Sequence, residues 1–180
     1  MIEEAKLIAE LKNPLTQQQA FRTLMSLYKN RLYWHIRKIV ISHHDTDDVL
    51  QNTFIKVYRN IKSFKEESKL YSWMYRIATN ESITFLNKKA KQHKLTLNDL
   101  QYKMVENLKT DVYFDGDYIQ LELQKAIAKL PQKQQLVFNM KYFDNIKYSE
   151  MSEVLETSVG ALKASYHHAV KKIENYLKDK

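Results

Sequence analysis

The sequence predicts an all-α protein built as two small helical domains joined by an acidic linker, with a helix-turn-helix in the second. Three observations lead there. Two glycines and two prolines in 180 residues leave little of the turn chemistry on which β proteins depend. Apolar residues recur at steps of three and four in one window after another, the period of a helix face. Charge falls into blocks: residues 1–44 and 45–94 each carry a net +4, residues 95–117 a net −3 and residues 118–180 a net +3. The boundaries follow as a first domain over 1–94, a linker over 95–117 and a second domain over 118–180.

The elements follow in order. Ile2 to Leu11 reads as a short helix that Asn13-Pro14 stops, and Thr16 can cap the next. That second helix is long, with Phe21, Leu24, Met25, Tyr28, Leu32, Ile36 and Ile39 on one face, and it ends near Ser42-His43-His44. Asp45 or Thr46 caps a third helix, whose stripe is Leu50, Phe54, Val57 or Tyr58, and Ile61. A polar joint from Ser63 to Ser68 precedes a helix with Leu70, Trp73, Met74, Ile77, Phe85 and Leu86 inward. Tyr71, Tyr75, Arg76 and Asn80 are placed at its edge or surface.

Residues 95–117 show no sustained period and read as a linker with room for one short helix. Beyond it, Ile119, Leu123, Ile127 and Leu130 form a stripe. Pro131 opens a helix at the position where its missing N–H costs nothing, with Leu136, Val137, Met140 and Phe143 inward. Tyr148 to Leu155 is a helix of two turns. Glu156-Thr157-Ser158 is a tight joint with Thr157 or Ser158 as cap. A last helix from Val159 to about Lys178 turns Leu162, Tyr166, Ala169 and Ile173 inward. A short helix, a tight turn and a longer helix make the helix-turn-helix pattern.

Composition narrows the function. A net charge of +8 and a pI near 9.4 suit a polyanion such as DNA, although solubilising lysines produce the same totals. There is no cysteine, which removes disulfide frameworks and cysteine metal sites. No stretch is apolar for eighteen residues, so no membrane insertion is expected. Met1-Ile2-Glu3-Glu4-Ala5 is acidic, unlike the basic start of a signal peptide. Serine elbows, glycine-rich phosphate loops and metal-ligand sets are missing, which leaves no catalytic residue and no cofactor to assign. The pairs His43-His44 and His167-His168 are poor chelates, because neighbours on a helix point about 100° apart.

Three clusters stand out. Asp47, Asp48, Gln51 and Asn52 give the third helix a polar, acidic start. The helix dipole accounts for one or two acids there, and a docking surface accounts for all four residues. Around the joint, Ser63, Phe64 and Lys65 lie close to Trp73, Arg76 and Asn80, with the basic tail Lys88 and Lys89 beyond. Aromatic and basic groups interleaved in this way suit unpaired bases. For Trp73 by itself, a place in the core is the simpler reading. On the last helix, Ser158, Gly160, Lys163, Ala164, His167 and Lys171 form a small and basic face that permits close approach to a major groove.

These residues carry a family resemblance. Asp47-Asp48-Val49-Leu50-Gln51-Asn52-Thr53-Phe54, Ser72-Trp73-Met74-Tyr75-Arg76-Ile77-Ala78-Thr79-Asn80, and Leu130-Pro131 through Tyr148-Ser149-Glu150-Met151-Ser152 to Gly160-Ala161-Leu162-Lys163 occur in that order. Over nearly its full length the chain resembles the extracytoplasmic-function class of bacterial sigma factors, in the sigma-70 family. The resemblance implies a cytoplasmic, non-catalytic promoter-specificity subunit whose partners are core RNA polymerase and promoter DNA. Such proteins are often held inactive by an anti-sigma protein.

On this reading the first cluster docks on the polymerase clamp helices and the second opens and reads the minus-ten element. The third reads the minus-thirty-five element, and the linker threads the RNA path. The chain departs from the family at Glu156, where glycine is common. It also has Lys88 and Lys89 in place of arginines, and His168 where arginine is frequent. Lysine keeps the attraction to phosphate and loses arginine's bidentate fork. The alternatives are a stand-alone helix-turn-helix regulator and a helical interaction protein with no nucleic-acid role.

Overall fold

A computed structural model describes residues 4–110 and 116–179, and all regular structure among them is helical. The first half contains α1 (Glu4–Lys12), α2 (Gln17–Val40), α3 (His43–Asn60) and α4 (Leu70–Gln92). The connector holds α5 (Leu97–Glu106), and the second half holds α6 (Tyr118–Ala128), α7 (Gln132–Phe138), α8 (Tyr148–Leu155) and α9 (Val159–Lys178). Short 3-10 turns follow α3 and α5, and a π turn over Asn139–Phe143 extends α7. Met1–Glu3, expected to show the signal-free start, and the acidic middle of the connector at 111–115 lie outside the described residues.

The predicted stripe of α2 buries Leu24, Leu32, Ile36 and Ile39, with Phe21, Met25 and Tyr28 packed at its edge. The helix ends two residues earlier than expected. Ile41 takes a positive φ of 69°, and its N–H bonds the carbonyl of Arg37. The cap of α3 is therefore Ser42, whose Oγ accepts from the N–H of Asp45, and neither Asp45 nor Thr46 plays that part. Thr16 stands at the N-cap of α2 without capping it, because its hydroxyl donates to the carbonyl of Glu10.

α4 differs most from its predicted pattern. Tyr71 and Tyr75, expected at the edge or surface of the helix, are 8% and 2% exposed. The reason is that α4 packs on α2 and α3 on one side and on α8 on the other, so a single stripe cannot cover it. One apolar cluster runs through Leu70, Met74, Tyr75 and Ala78 to Val137, Met140, Met151, Val154 and Leu162. The two halves thus share a core. α5 joins the assembly too: Leu100 and Val105 are buried, Gln101 donates to the carbonyl of Ile39, and Asn98 donates to that of Leu130.

The second half shows two shifts of phase. In α6, Ile119 is exposed and Leu121 is buried instead, because the helix serves α5 with one face and α9 with another. Phe138, at the end of α7, is buried beside Leu136 and Val137, and the π turn that follows admits an extra residue, so that Phe143, an expected inward position, is 37% exposed. Phe138 stacks between Tyr142 at 5.1 Å and Tyr166 at 5.9 Å.

Candidate partner and nucleic-acid interfaces

The start of α3 exposes Asp47, Asp48, Gln51 and Asn52 together. Asp45, in the same first turn, is half-buried and occupied by the ammonium of Lys89 on α4. A groove of about 870 Å³ runs between α2 and α3. Its floor is aromatic, with Phe21 edge-on to Tyr58 at 4.9 Å and to Phe54 at 6.1 Å. Asp47, Asp48 and Gln51 stand along one side, and Arg22 and Lys29 of α2 along the other. A second groove of about 440 Å³, lined by Asp48, Gln51, Asn52, Phe85, Lys88 and His93, lies on the far side of α3. Asp48 and Gln51 border both and form the ridge between them.

The α2 contribution to this surface, Arg22, Met25 and Lys29, was missed in the sequence. A signal for it existed in Ile55, apolar but off the predicted stripe and 40% exposed; Tyr58, which the core passed over for Val57, is 40% exposed beside it. Apolar groups that the core does not use mark a contact surface.

The joint between α3 and α4 divides its residues. Ser63 and Lys65 are exposed, the Ser63 hydroxyl donating to the carbonyl of Asn60 at 2.7 Å. Phe64, grouped with the DNA-facing residues, is 5% exposed, because its ring packs on Trp73 with centroids 5.0 Å apart. It supports the joint from inside. Trp73 itself is half-buried against the core. Glu66 adopts a φ of 61° and pairs with Lys12 at 2.5 Å, tying the joint to α1.

Farther along α4, Asn80 and Lys88 are exposed, while Lys89 is held by Asp45. Arg76 is not open. Its guanidinium donates to Glu156 of the helix-turn-helix joint at 2.9 Å. Lys69, at the start of α4, pairs with Glu150 of α8 at 3.0 Å. The hydrogen bond and charge of Lys69 hold the Glu150 carboxyl below its usual range, and Glu150 raises Lys69 in turn.

Lys38 of α2 binds Asp144 beyond the π turn, with His35 at 3.6 Å on its other oxygen. Burial pushes the Asp144 carboxyl up, but His35 and Lys38 outweigh it and the net direction is down. Burial pushes His35 the same way, towards its neutral form, against the pull of Asp144.

The helix-turn-helix keeps its outer face open. Ser158, Gly160, Lys163, Ala164, His167 and Lys171 are all exposed. Ser158 caps α9, its Oγ accepting from the N–H of Ala161 at 3.3 Å, which leaves its hydroxyl proton to donate outward. Nothing lies within 4 Å of the position a Cβ would take at Gly160. Glu156 sits in the left-handed region at φ 48° and ψ 45°, the turn geometry that glycine adopts without strain.

Two family models match the chain, sigma-70 region 2 over residues 24–92 and sigma-70 region 4 over residues 120–173. The chain is 32% identical over 173 residues to the ECF RNA polymerase sigma factor SigW of Bacillus subtilis, covering 90% of this chain and 91% of that one. It is 28% identical over 168 residues to the ECF RNA polymerase sigma-E factor of Haemophilus influenzae, with 88% and 87% covered. The fold matches CnrH, solved in complex with the cytosolic domain of CnrY, at a TM-score of 0.72 and 20% identity over 98% of both chains. It also matches the sigma factor RpoE of Bartonella quintana, solved with the anti-sigma factor NepR, at 0.66 and 18% identity over 88% of this chain and 96% of that one.

Proposed function

Because this chain belongs to the extracytoplasmic-function class of the sigma-70 family, we propose that its three surface clusters divide the work of promoter recognition among them. As a member of that family it is a promoter-specificity subunit that binds core RNA polymerase and directs transcription initiation. It is a DNA-binding initiation factor and not a stand-alone regulator, since the first half matches region 2 and the second matches region 4. It works in the cytoplasm, where its polymerase and DNA are. No helix among the described residues is long and apolar enough to cross a membrane.

The observation that carries the division of labour is the open ridge Asp47, Asp48, Gln51 and Asn52 beside an unfilled aromatic groove. An exposed apolar floor with an acidic rim suits a basic helical partner, and the polymerase clamp helices fill that role. Residues 1–94 then form the docking and minus-ten domain. Ser63 and Lys65 border the pocket for an unpaired base, Phe64 and Trp73 shape it from behind, and Arg76, Asn80, Lys88 and Lys89 hold the strand or its upstream duplex. Residues 95–117 are the connector. Residues 118–180 lay α9 into the major groove, with Ser158, Lys163 and His167 at base edges or phosphates, Lys171 on phosphate, and Gly160 and Ala164 permitting close approach. On this reading the chemistry is the polymerase's, and no catalytic role is assigned to this chain. Its partners are core polymerase and promoter DNA, together with an anti-sigma protein of the kind bound to the RpoE of Bartonella quintana.

Reconstituted transcription tests this reading. Purified protein and cognate core polymerase are given sheared genomic DNA, and RNA 5′ ends are mapped. Discrete starts that require the protein and share a spaced pair of upstream motifs are expected. Co-elution with core and no new starts would leave docking in place and overturn the promoter assignments.

A further inference from the structure

The joint between α3 and α4 is held from outside. Among the described residues, no backbone N–H from Lys65 to Lys69 meets a backbone acceptor. A stretch without such bonds keeps many conformations unless side chains restrict it. α1 supplies the restriction. The Lys12 ammonium pairs with Glu66 at 2.5 Å, in the middle of the joint. It also lies 5.9 Å from the centre of the Phe64 ring, the ring that packs on Trp73. At the far end, the Glu4 carboxylate accepts from the N–H of Leu70 at 3.1 Å. Lys69, the N-cap residue of α4, makes no capping bond with its side chain. A carboxylate from another helix therefore takes that place, at the positive end of the α4 dipole. Leu7, Ile8 and Leu11 are buried in the cluster that holds Ile61, Phe64 and Leu70, which fixes α1 against the joint.

Resting on the proposed reading of the joint as the pocket of an unpaired base, we infer that α1 positions that pocket: Glu4 and Lys12 fix the shape of the joint and so set base selectivity at one minus-ten position without touching DNA.

The pairs fit a positioning role better than a stabilising one. The side chains of Lys12 and Glu66 are 31% and 50% exposed, and an ion pair so placed adds little to global stability. Its effect falls on geometry. Glu66 has a φ of 61°, a left-handed conformation that costs a non-glycine residue free energy and persists only where neighbours impose it. The pair with Lys12 is the contact that holds it. Lys65, which borders the pocket, directly precedes Glu66, so a relaxed Glu66 backbone re-aims Lys65. The bond from Leu70 to Glu4 fixes where α4 begins, and with it the position of Trp73 one turn on. A displacement on the order of 1 Å is enough to lose much of what a positioned group does.

Holoenzyme made from the full chain and core polymerase tests this, on a promoter mapped by the transcription experiment above. Templates carry each of the four bases at every minus-ten and minus-thirty-five position. The readout is the ratio of transcript from the best base to that from the worst, position by position. Wild type should show a large ratio at the position of the unpaired base. K12E and E4A should lower it there about threefold or more and leave the other ratios within twofold of wild type. K12E/E66K restores the pair with its charges exchanged and should recover the ratio. E4Q keeps an acceptor for the Leu70 N–H and should fall between wild type and E4A. I36V thins the buried core under α2, and it should lower the urea midpoint without changing the ratio. Each ratio compares templates for one protein, so general changes in charge or in affinity for core cancel.

An unchanged ratio in both K12E and E4A would overturn the inference. So would a loss that K12E/E66K fails to recover, a loss spread evenly over all positions, or a loss that I36V reproduces. Wild-type protein that selects no base in the minus-ten element would instead strike the reading of the joint itself, a failure seen before any variant is made.

Discussion

Nε2 of His35 lies 2.8 Å from Oγ1 of Thr79, a buried hydrogen bond that fastens α2 to α4. The Thr79 hydroxyl donates its own proton to the carbonyl of Tyr75, so it accepts from His35 and Nε2 carries the hydrogen. The other ring nitrogen faces Asp144 at 3.6 Å. Tyr75 lies against the same ring at 4.4 Å, and the Lys38 ammonium is held on the same carboxylate. His35 therefore sits where both halves and two helices of the first half converge.

Acidification should weaken the fold through this residue. Burial lowers the proton affinity of His35, with Lys38 acting in the same direction and Asp144 against it. The unfolded chain then binds a proton that the folded chain refuses. The stability is fully present above the unfolded value of about 6.5 and declines below it, by at most about 1.4 kcal/mol per pH unit. Urea unfolding between pH 8 and pH 5.5 should show that decline, and H35Q should flatten it. Asp144, held low, adds a loss only as pH falls through and below the carboxylate range near 4. An H35Q profile as steep as wild type between pH 7 and pH 5.5 would remove His35 as the cause.

Removing the charge of Asp144 should cost stability directly. D144N leaves the Lys38 ammonium, largely buried, without its counter-ion, at a cost of about 2–3 kcal/mol. Much of that is the penalty of an unpaired charge and not the worth of the pair. K38M/D144N should therefore recover a good part of the loss, as read from urea midpoints. A double variant as unstable as D144N alone would show that Lys38 was not the stranded group.

Docking should depend on charge at the ridge. Asp47 and Asp48 are exposed, and D47K/D48K changes no core contact. Thermal stability should remain close to wild type, as for most surface substitutions. Affinity for core polymerase should fall by roughly tenfold or more, because reversed charges meet a surface selected for the opposite sign. Competition with labelled wild type for core measures this. Affinity within twofold of wild type would move the docking surface elsewhere.

How much of this was legible in the sequence depended on how many faces each helix buries. Leu50, Phe54 and Ile61 of α3 emerged as expected, and between Val57 and Tyr58 the core took Val57, because one side of α3 meets the core and the other meets solvent. α4 did not follow suit, since Tyr71 and Tyr75 are buried by contacts that come from distant parts of the chain. Periodicity marks one face and cannot announce a second neighbour. The π turn after α7 is equally silent: one inserted residue shifts the phase beyond it and leaves Phe143 at the surface. Among the surface clusters, exposure of Asp47, Asp48 and the α9 face followed from the pattern. The pairing of Arg76 with Glu156, eighty residues away, is a tertiary fact with no local signature.

On α9, Lys163 should act through the phosphate backbone. Its ammonium lies about a ring's width from Tyr148, at 6.0 Å from the centroid, on a long and exposed stem. A point charge on a flexible stem follows phosphate more readily than a base edge. K163A should weaken binding of the polymerase complex about equally across base-substituted minus-thirty-five sites, with the salt slope falling by about one. A loss confined to one base position, with the slope unchanged, would make Lys163 a base reader.

Glu156 allows its ion pair with Arg76 to be separated from its backbone strain. Glycine at its left-handed position relieves roughly 1 kcal/mol of backbone strain, and loss of an exposed ion pair removes up to about the same amount. E156G should therefore shift the urea midpoint little in either direction. It should nevertheless release Arg76 and raise single-strand binding in the absence of polymerase. Alanine keeps the strain and also loses the pair, so E156A should be the less stable of the two while binding the strand as well as E156G. If E156G binds the strand no better than wild type, Arg76 is not kept from DNA by this carboxylate, and the contact between α4 and α8 would serve stability alone.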